Sequence, residues 1–271
     1  VYPATSDIII FGGEDQEPPQ YGKVFIVLKP TDASYLTSLT KNKIVADLKK
    51  YVVASVEPQI VDPSILYVEM NSKIYYNSLI TDQTPTQIRD KVIGSIQSYI
   101  DTSDTEKFNG KFRYSKFVGV IDDADVSINS NLTSLTMRKD FYPQLNSTFY
   151  YEVCFQNAFD EDCDDPVLSS TGFRVTEYPN FDVYVEDRDK KIVLYRLDSV
   201  TGEKVVLDSD IGDIDYVKGE LKMYALTIIK GSFFDNRISL RVKPLSNDIK
   251  AMREVYLDVD VPNSSFTAYK E

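Results

Sequence analysis

Histidine and tryptophan are absent from this chain of 271 residues, and cysteine occurs only twice. Without histidine there is no Ser-His-Asp or Cys-His catalysis, no His-ligated zinc and no imidazole pH switch. Cys154 and Cys163 alone cannot build a Cys₄ zinc site. Two thiols in a chain this long point to reduced intracellular cysteines, with a single disulfide as the alternative. No apolar run approaches the roughly 20 residues of a membrane span, and no charged segment leads into an apolar one at the N-terminus. Positive charge is scarce as well. Lys and Arg number 30 against 42 Asp and Glu, for a net charge of -12. That balance argues against broad nucleic-acid or anionic-membrane binding, so neither partner is expected.

What is present suffices for a sizeable core: 42% of residues are hydrophobic, enough for one or two folded domains. The first residue is Val1, not Met, which is expected of a fragment or a processed product. The most informative stretch runs from Ile8 to Pro30. Two apolar strand-like runs, 8–11 and 24–28, enclose a loop without apolar periodicity. Gly12-Gly13 frees the backbone, and Pro18-Pro19 holds the following segment extended. Loops this long in compact domains are often functional, and this one carries acidic residues but no nucleophile. Phe11, Gly12, Gly13, Glu14, Pro18, Pro19 and Tyr21 are therefore the candidate protein-contact residues, with residues 1–7 read as a tail.

Further along, Ile44, Leu48, Tyr51 and Val52 fall on one face of a helix expected over 42–54, after a polar loop at 34–40. Leu66, Val68 and Met70 alternate with Tyr67 and Glu69, which predicts a strand with one buried face, and Asn71-Ser72-Lys73 reads as a turn. Thr84-Pro85-Thr86-Gln87 is a capping box that opens a second helix, with a stripe of Ile88, Val92, Ile96, Tyr99 and Ile100. Phe117, Val118 and Ile121 suit a short helix, and 126–128 and 132–138 suit strands. Residues 23–140 thus read as two main helices on a mixed sheet. After Phe141-Tyr142-Pro143, short strands separated by turn residues suggest a mostly antiparallel β domain. Gly212–Leu221 reads there as a short strand with glycines at its ends. The expected class is α+β, divided into 1–22, 23–140 and 141–271.

Carboxylate clusters are the remaining candidates for chemistry. Asp160-Glu161-Asp162-Cys163-Asp164-Asp165 could hold a divalent cation, yet it lacks the glycine and distal glutamate of an EF-hand loop. Five like charges more often form a solvated surface. Asp122-Asp123-Ala124-Asp125 and Asp208-Ser209-Asp210 could supply catalytic pairs, but aspartate is also the ordinary residue of turns and caps. No catalytic residue, metal site or cofactor is expected.

Several separated motifs resemble one family. They are Gly12-Gly13-Glu14 with Pro18-Pro19-Gln20-Tyr21-Gly22-Lys23-Val24-Phe25 and Leu28-Lys29-Pro30; Val61-Asp62-Pro63 with Tyr67; Phe112-Arg113-Tyr114-Ser115-Lys116 with Ile121-Asp122; Ser169-Ser170-Thr171-Gly172-Phe173; and Gly212-Asp213-Ile214-Asp215-Tyr216 with Gly219. Together they are similar to the C-terminal part of baseplate wedge subunits of T-even-type contractile-tailed phages, in the wider baseplate-J-like family. The resemblance implies a structural, non-enzymatic virion protein of the tail baseplate, assembled in the host cytoplasm and without a cofactor. It implies a homodimer within each wedge, contacts between wedges that close a ring around the hub, and other baseplate wedge proteins as partners. A receptor- or glycan-binding tail module is the alternative.

Overall fold

A computed structural model describes residues 4–15, 18–31, 33–52, 55–161, 165–252 and 254–271. Its elements run β1 (Thr5–Gly12), β2 (Lys23–Pro30), α1 (Ser38–Leu48), β3 (Glu57–Val61), β4 (Ser64–Tyr76) and α2 (Pro85–Thr102). Then come β5 (Lys111–Phe112), α3 (Tyr114–Asp122), β6 (Ile128–Phe141), β7 (Thr148–Cys154), β8 (Leu168–Ser170) and β9 (Phe173–Val175). The last are β10 (Tyr178–Arg188), β11 (Lys191–Leu197), β12 (Lys204–Asp215), β13 (Glu220–Lys230), β14 (Ile238–Val242), β15 (Ile249–Lys250), β16 (Val255–Val259) and β17 (Ser265–Lys270). Contacts divide the chain into two units. One comprises Val1–Ile65, Asp104–Lys111 and Ala251–Asp258; the other comprises Leu66–Ser103, Phe112–Lys250 and Val259–Glu271.

In the first unit β1, β2 and β3 form a three-stranded sheet, antiparallel between β1 and β2 and parallel between β2 and β3. Directly opposed residues share a face. Phe11 therefore stacks on Phe25 with ring centroids 5.6 Å apart, and Phe25 and Val27 are core residues. Phe108 meets Tyr256 edge-on at 5.4 Å, and the Phe108 N–H donates to Asp7 Oδ1's twin, Oδ2, at 2.8 Å. Thr5–Asp7 are thus strand rather than tail, while residues 1–3 lie outside the described residues. The helix expected over 42–54 starts earlier and ends earlier. Thr37 caps it, its hydroxyl oxygen accepting from the Thr40 N–H at 3.3 Å. Its last turn closes on Lys49, whose N–H donates to Val45 and Asp47 carbonyls. None of its residues is buried, and Tyr51 beyond its end is 87% exposed, so the expected apolar stripe does not act as one. Residues 53–54 lie outside the described residues.

In the second unit the capping box forms as its chemistry requires. Thr84 Oγ1 accepts from the Gln87 N–H at 3.3 Å, and Gln87 Oε1 accepts from the Thr84 N–H at 2.8 Å. Ile88, Val92, Ile96 and Ile100 are buried along α2. Tyr99 is only half-buried, its ring edge-on to Phe117 at 5.1 Å. Thr84→Ala removes one side of the box and leaves an N-terminal N–H unpaired. A loss of about 1 kcal/mol in urea denaturation is expected; an unchanged midpoint would show that water replaces the cap at no cost.

The turn expected at Asn71-Ser72-Lys73 does not exist, because β4 continues through it as a strand of 13 residues. Neighbours on both sides hold it extended. β6 pairs with it antiparallel from Tyr67↔Arg138 onward, and β17 pairs with it parallel from Asn71↔Ser265 to Tyr76↔Lys270. Ser72 and Thr133 hydroxyls bond across the pair at 2.8 Å. Both faces of β4 are buried from Leu66 to Met70, Tyr67 and Glu69 included, not one face as the alternation suggested. Val126 is 91% exposed and precedes β6 instead of starting a strand.

The remaining strands order as β11-β12-β13-β9-β10-β8-β14-β6-β4. The β10–β11 hairpin turns through Asp189 and Lys190, both at positive φ (50° and 66°). That pattern matches the twist of the flanking strands. The segment 212–221 is not a short strand: Gly212–Asp215 ends β12, Glu220 starts β13, and the two form a hairpin. Gly219 makes its turn at φ +69°, where an added Cβ would sit 2.0 Å from the Asn157 carbonyl oxygen. Antiparallel pairing dominates this sheet, and together with the mixed β1–β3 sheet and the helices it makes the chain α+β, as the sequence indicates.

Candidate interaction surface

The β1–β2 connection opens with a single 3-10 turn at Gly13–Asp15. Gly13 is buried, and its carbonyl oxygen accepts from the Gln20 N–H at 2.7 Å, which clamps the loop at its base. An added Cβ at Gly13 would lie 2.0 Å from the Gln20 carbonyl oxygen, so only glycine fits this approach. Phe11 and Gly12 are half-buried, whereas Glu14, Pro18 and Pro19 are exposed. Tyr21 projects with 81% of its surface free, just before Gly22 at φ +78°. Gln16 and Glu17 lie outside the described residues. Beside Tyr21 opens a cleft of ≈ 570 Å³ that also carries Lys23, Lys49 and Glu57. The sequence-predicted contact residues thus separate into a buried anchor, Gly13, and an exposed set led by Tyr21.

The carboxylates that could have done chemistry are engaged in holding the fold. Asp125 accepts from Lys91 Nζ at 2.6 Å and from the Ser127 N–H and hydroxyl, contacts that hold its carboxyl well below the usual range. Asp122 accepts from Asn131 Nδ2 at 2.8 Å. Asp208 Oδ1 accepts from the Asp210 N–H, and Asp210 pairs with Lys191 at 3.1 Å. In the acidic loop, Glu161 pairs with Lys190 at 2.8 Å and Asp165 with Lys243 at 3.7 Å. Asp162, Cys163 and Asp164 lie outside the described residues. Among the described residues no three His, Cys, Asp or Glu side chains form a metal-ready group, and Cys154 is a free thiol.

Two buried polar clusters escaped the sequence reading. In the first, Arg138 has 6% of its side chain exposed and meets three carboxylates: Glu69, Asp140 Oδ1 at 3.2 Å and Asp260 Oδ2 at 2.7 Å. Its guanidinium also lies 4.2 Å from the Tyr67 ring centroid. Arg241 forks onto Glu69 at 2.8 and 3.1 Å, and Arg237 reaches Asp140 at 3.2 Å. Burial alone would lower the Arg138 pKa, but Asp140, Asp260 and Glu69 more than offset it and hold the cation above its ordinary value. In the second cluster, Asp187 accepts from the Tyr216 hydroxyl at 2.6 Å and the Leu168 N–H at 2.7 Å. Burial and that carboxylate push the Tyr216 phenol up. This gives the Gly212–Gly219 motif a local reason: it is a hairpin turn that delivers Tyr216 to a buried aspartate. Both clusters tie distant strands together and read as fold-specifying contacts.

Comparison with known proteins bears on the role of the surface. Two domain models of one family match the chain: baseplate structural protein gp6, C-terminal domain I, over residues 1–61, and C-terminal domain III, over residues 64–140. The matches cover just over half of the chain. The baseplate wedge protein gp6 of Enterobacteria phage T4 is 31% identical over 119 residues, which are 44% of this chain and 18% of that protein. The match thus spans less than a fifth of that relative's length, and the resemblance concerns a segment and not the whole relative. Domain I contains the β1–β2 loop, and domain III contains β4, α2, α3 and most of β6. The chain belongs to the gp6 family of baseplate structural proteins, and it carries that family's C-terminal domains I and III.

Proposed function

We propose that this chain is a structural, non-enzymatic part of a phage tail baseplate wedge. It pairs with itself within a wedge, contacts other baseplate wedge proteins and links neighbouring wedges into a ring around the hub. The observation that carries this reading is the pair of family domains in sequence order over 1–61 and 64–140. Within that role, residues 1–22 supply a strand and contact loop, 23–140 the α+β body and 141–271 the β-rich part.

The contact residues are Phe11, Gly12, Gly13, Glu14, Pro18, Pro19 and Tyr21. Gly13 fixes the loop, and Tyr21 is the anchor. A large aromatic side chain held on a clamped loop loses little freedom on binding and contributes area and a hydroxyl. Closed rings need one self-complementary surface per pair and a second that propagates, so one chain must carry more than one contact. Light scattering coupled to size-exclusion chromatography over a concentration series tests the self-pairing. Tyr21→Ala is expected to weaken association by about tenfold or more, the effect of removing an interface anchor. Association of that variant indistinguishable from the unsubstituted chain would remove Tyr21 and its loop from the contact.

A further inference from the structure

The three-stranded sheet ends on β1, and among the described residues β1 pairs only with β2. Thr5–Gly12 contains no proline or lysine, the residues that commonly blunt an edge strand, and a single charge, Asp7. Ile8 lies opposite Leu28 and Ile10 opposite Ile26. Leu28 is 9% exposed, but Ile8 and Ile10 are 51% and 62% exposed. An unprotected edge flanked by exposed isoleucines is the arrangement that recruits another strand.

We propose that β1 pairs antiparallel with β1 of a second copy of this chain, about a two-fold axis at Ile9. The strand is complementary to itself in that register. Ile8 then lies opposite Ile10 of the partner subunit, and Ile10 opposite Ile8 of the partner subunit. Four exposed isoleucines meet on one face. Asp7 falls opposite Phe11 of the partner subunit and Ser6 opposite Gly12 of the partner subunit, so no like charges meet. Parallel pairing in register would set Asp7 against its own copy, which costs energy. Asp7 accepts from the Phe108 N–H at 2.8 Å and also caps the outward Ile8 N–H at 2.8 Å, a local bond that the pairing exchanges for one to Ile10 of the partner subunit. In a protein of net charge -12, β1 is a surface whose self-pairing brings no like charges together. The inference rests on the self-pairing proposed above and names the edge that makes it.

Two measurements on the full chain test it. Hydrogen exchange of the peptide 5–11, followed from dilute to concentrated protein, is expected to slow as dimer forms. Ile8→Lys/Ile10→Lys sets lysines opposite lysines and is expected to weaken the dimer by roughly a hundred-fold, while leaving the melting temperature of the monomer unchanged. A dimer that ignores the two lysines, or forms without protecting 5–11, overturns the β1 pairing and leaves self-association intact. A chain that stays monomeric at every concentration overturns both.

Discussion

Arg138→Met is expected to cost about 3–5 kcal/mol of folding stability, because it strands buried carboxylates without their central cation. Methionine fills similar space, so the loss isolates charge from volume. Glu69, Asp140 and Asp260 are each no more than 10% exposed in their side chains, and Arg138 touches all three. Arg241 and Arg237 remain, but each reaches only one of these carboxylates, and Asp260 has neither. At roughly 2–4 °C per kcal/mol for a unit of this size, the melting temperature should fall by about 10 °C. The exposed pair Lys222–Glu152, at 3.3 Å with both side chains more than half free, is the control. Glu152→Gln should cost about 0.5 kcal/mol or less. If Arg138→Met costs no more than that control, the cluster is solvated and holds nothing together.

Phe117→Ala is the second large effect, expected at about 3–5 kcal/mol. Phe117 is 1% exposed on α3, stacked on Phe112 at 4.2 Å and edge-on to Tyr99 at 5.1 Å. Its removal deprives Phe112 of a stacked face and α2 of its aromatic contact with α3. The surrounding side chains are close-packed, so most of the ring's volume stays as a cavity. Urea denaturation followed by circular dichroism reads the loss. A cost below about 1 kcal/mol would mean that Tyr99 swings into the vacated space and the helix pair closes over it.

Local chemistry was the legible part of this chain. α2 is written in Thr84, Pro85 and Gln87, and its buried stripe of Ile88, Val92, Ile96 and Ile100 follows from spacing alone. The readings that failed were those decided by distant partners. Asn71-Ser72-Lys73 has turn-forming composition, but two neighbouring strands from far along the chain hold it straight. Glu69 alternates with Leu66, Val68 and Met70 and so resembles a solvent-facing residue. It is buried because Arg138 and Arg241 arrive from β6 and β14. The α1 stripe had the reverse fault: its apolar spacing is real, but no residue of the helix is buried. At the candidate surface, Gly13 and Tyr21 were legible as loop chemistry. The exposed isoleucines of β1 were not, since strand periodicity does not reveal which edge of a sheet lacks a neighbour.

The parallel pairing of β4 with β17 has a consequence for the order in which the chain can fold. Met70 and Ser264 bond across 194 positions, and the strand pair that follows joins residues just as remote. β4 can zip to β6 early, through a much shorter loop, but its stretch 71–76 stays open on the other side until 265–270 have been synthesised and brought back. Closing so long a loop adds little to the equilibrium cost, since loop entropy grows only logarithmically. It does slow folding, because the search must precede the reward. A nascent chain therefore waits with the 71–76 stretch of β4 unpaired on one flank, exposed to capture by neighbouring chains.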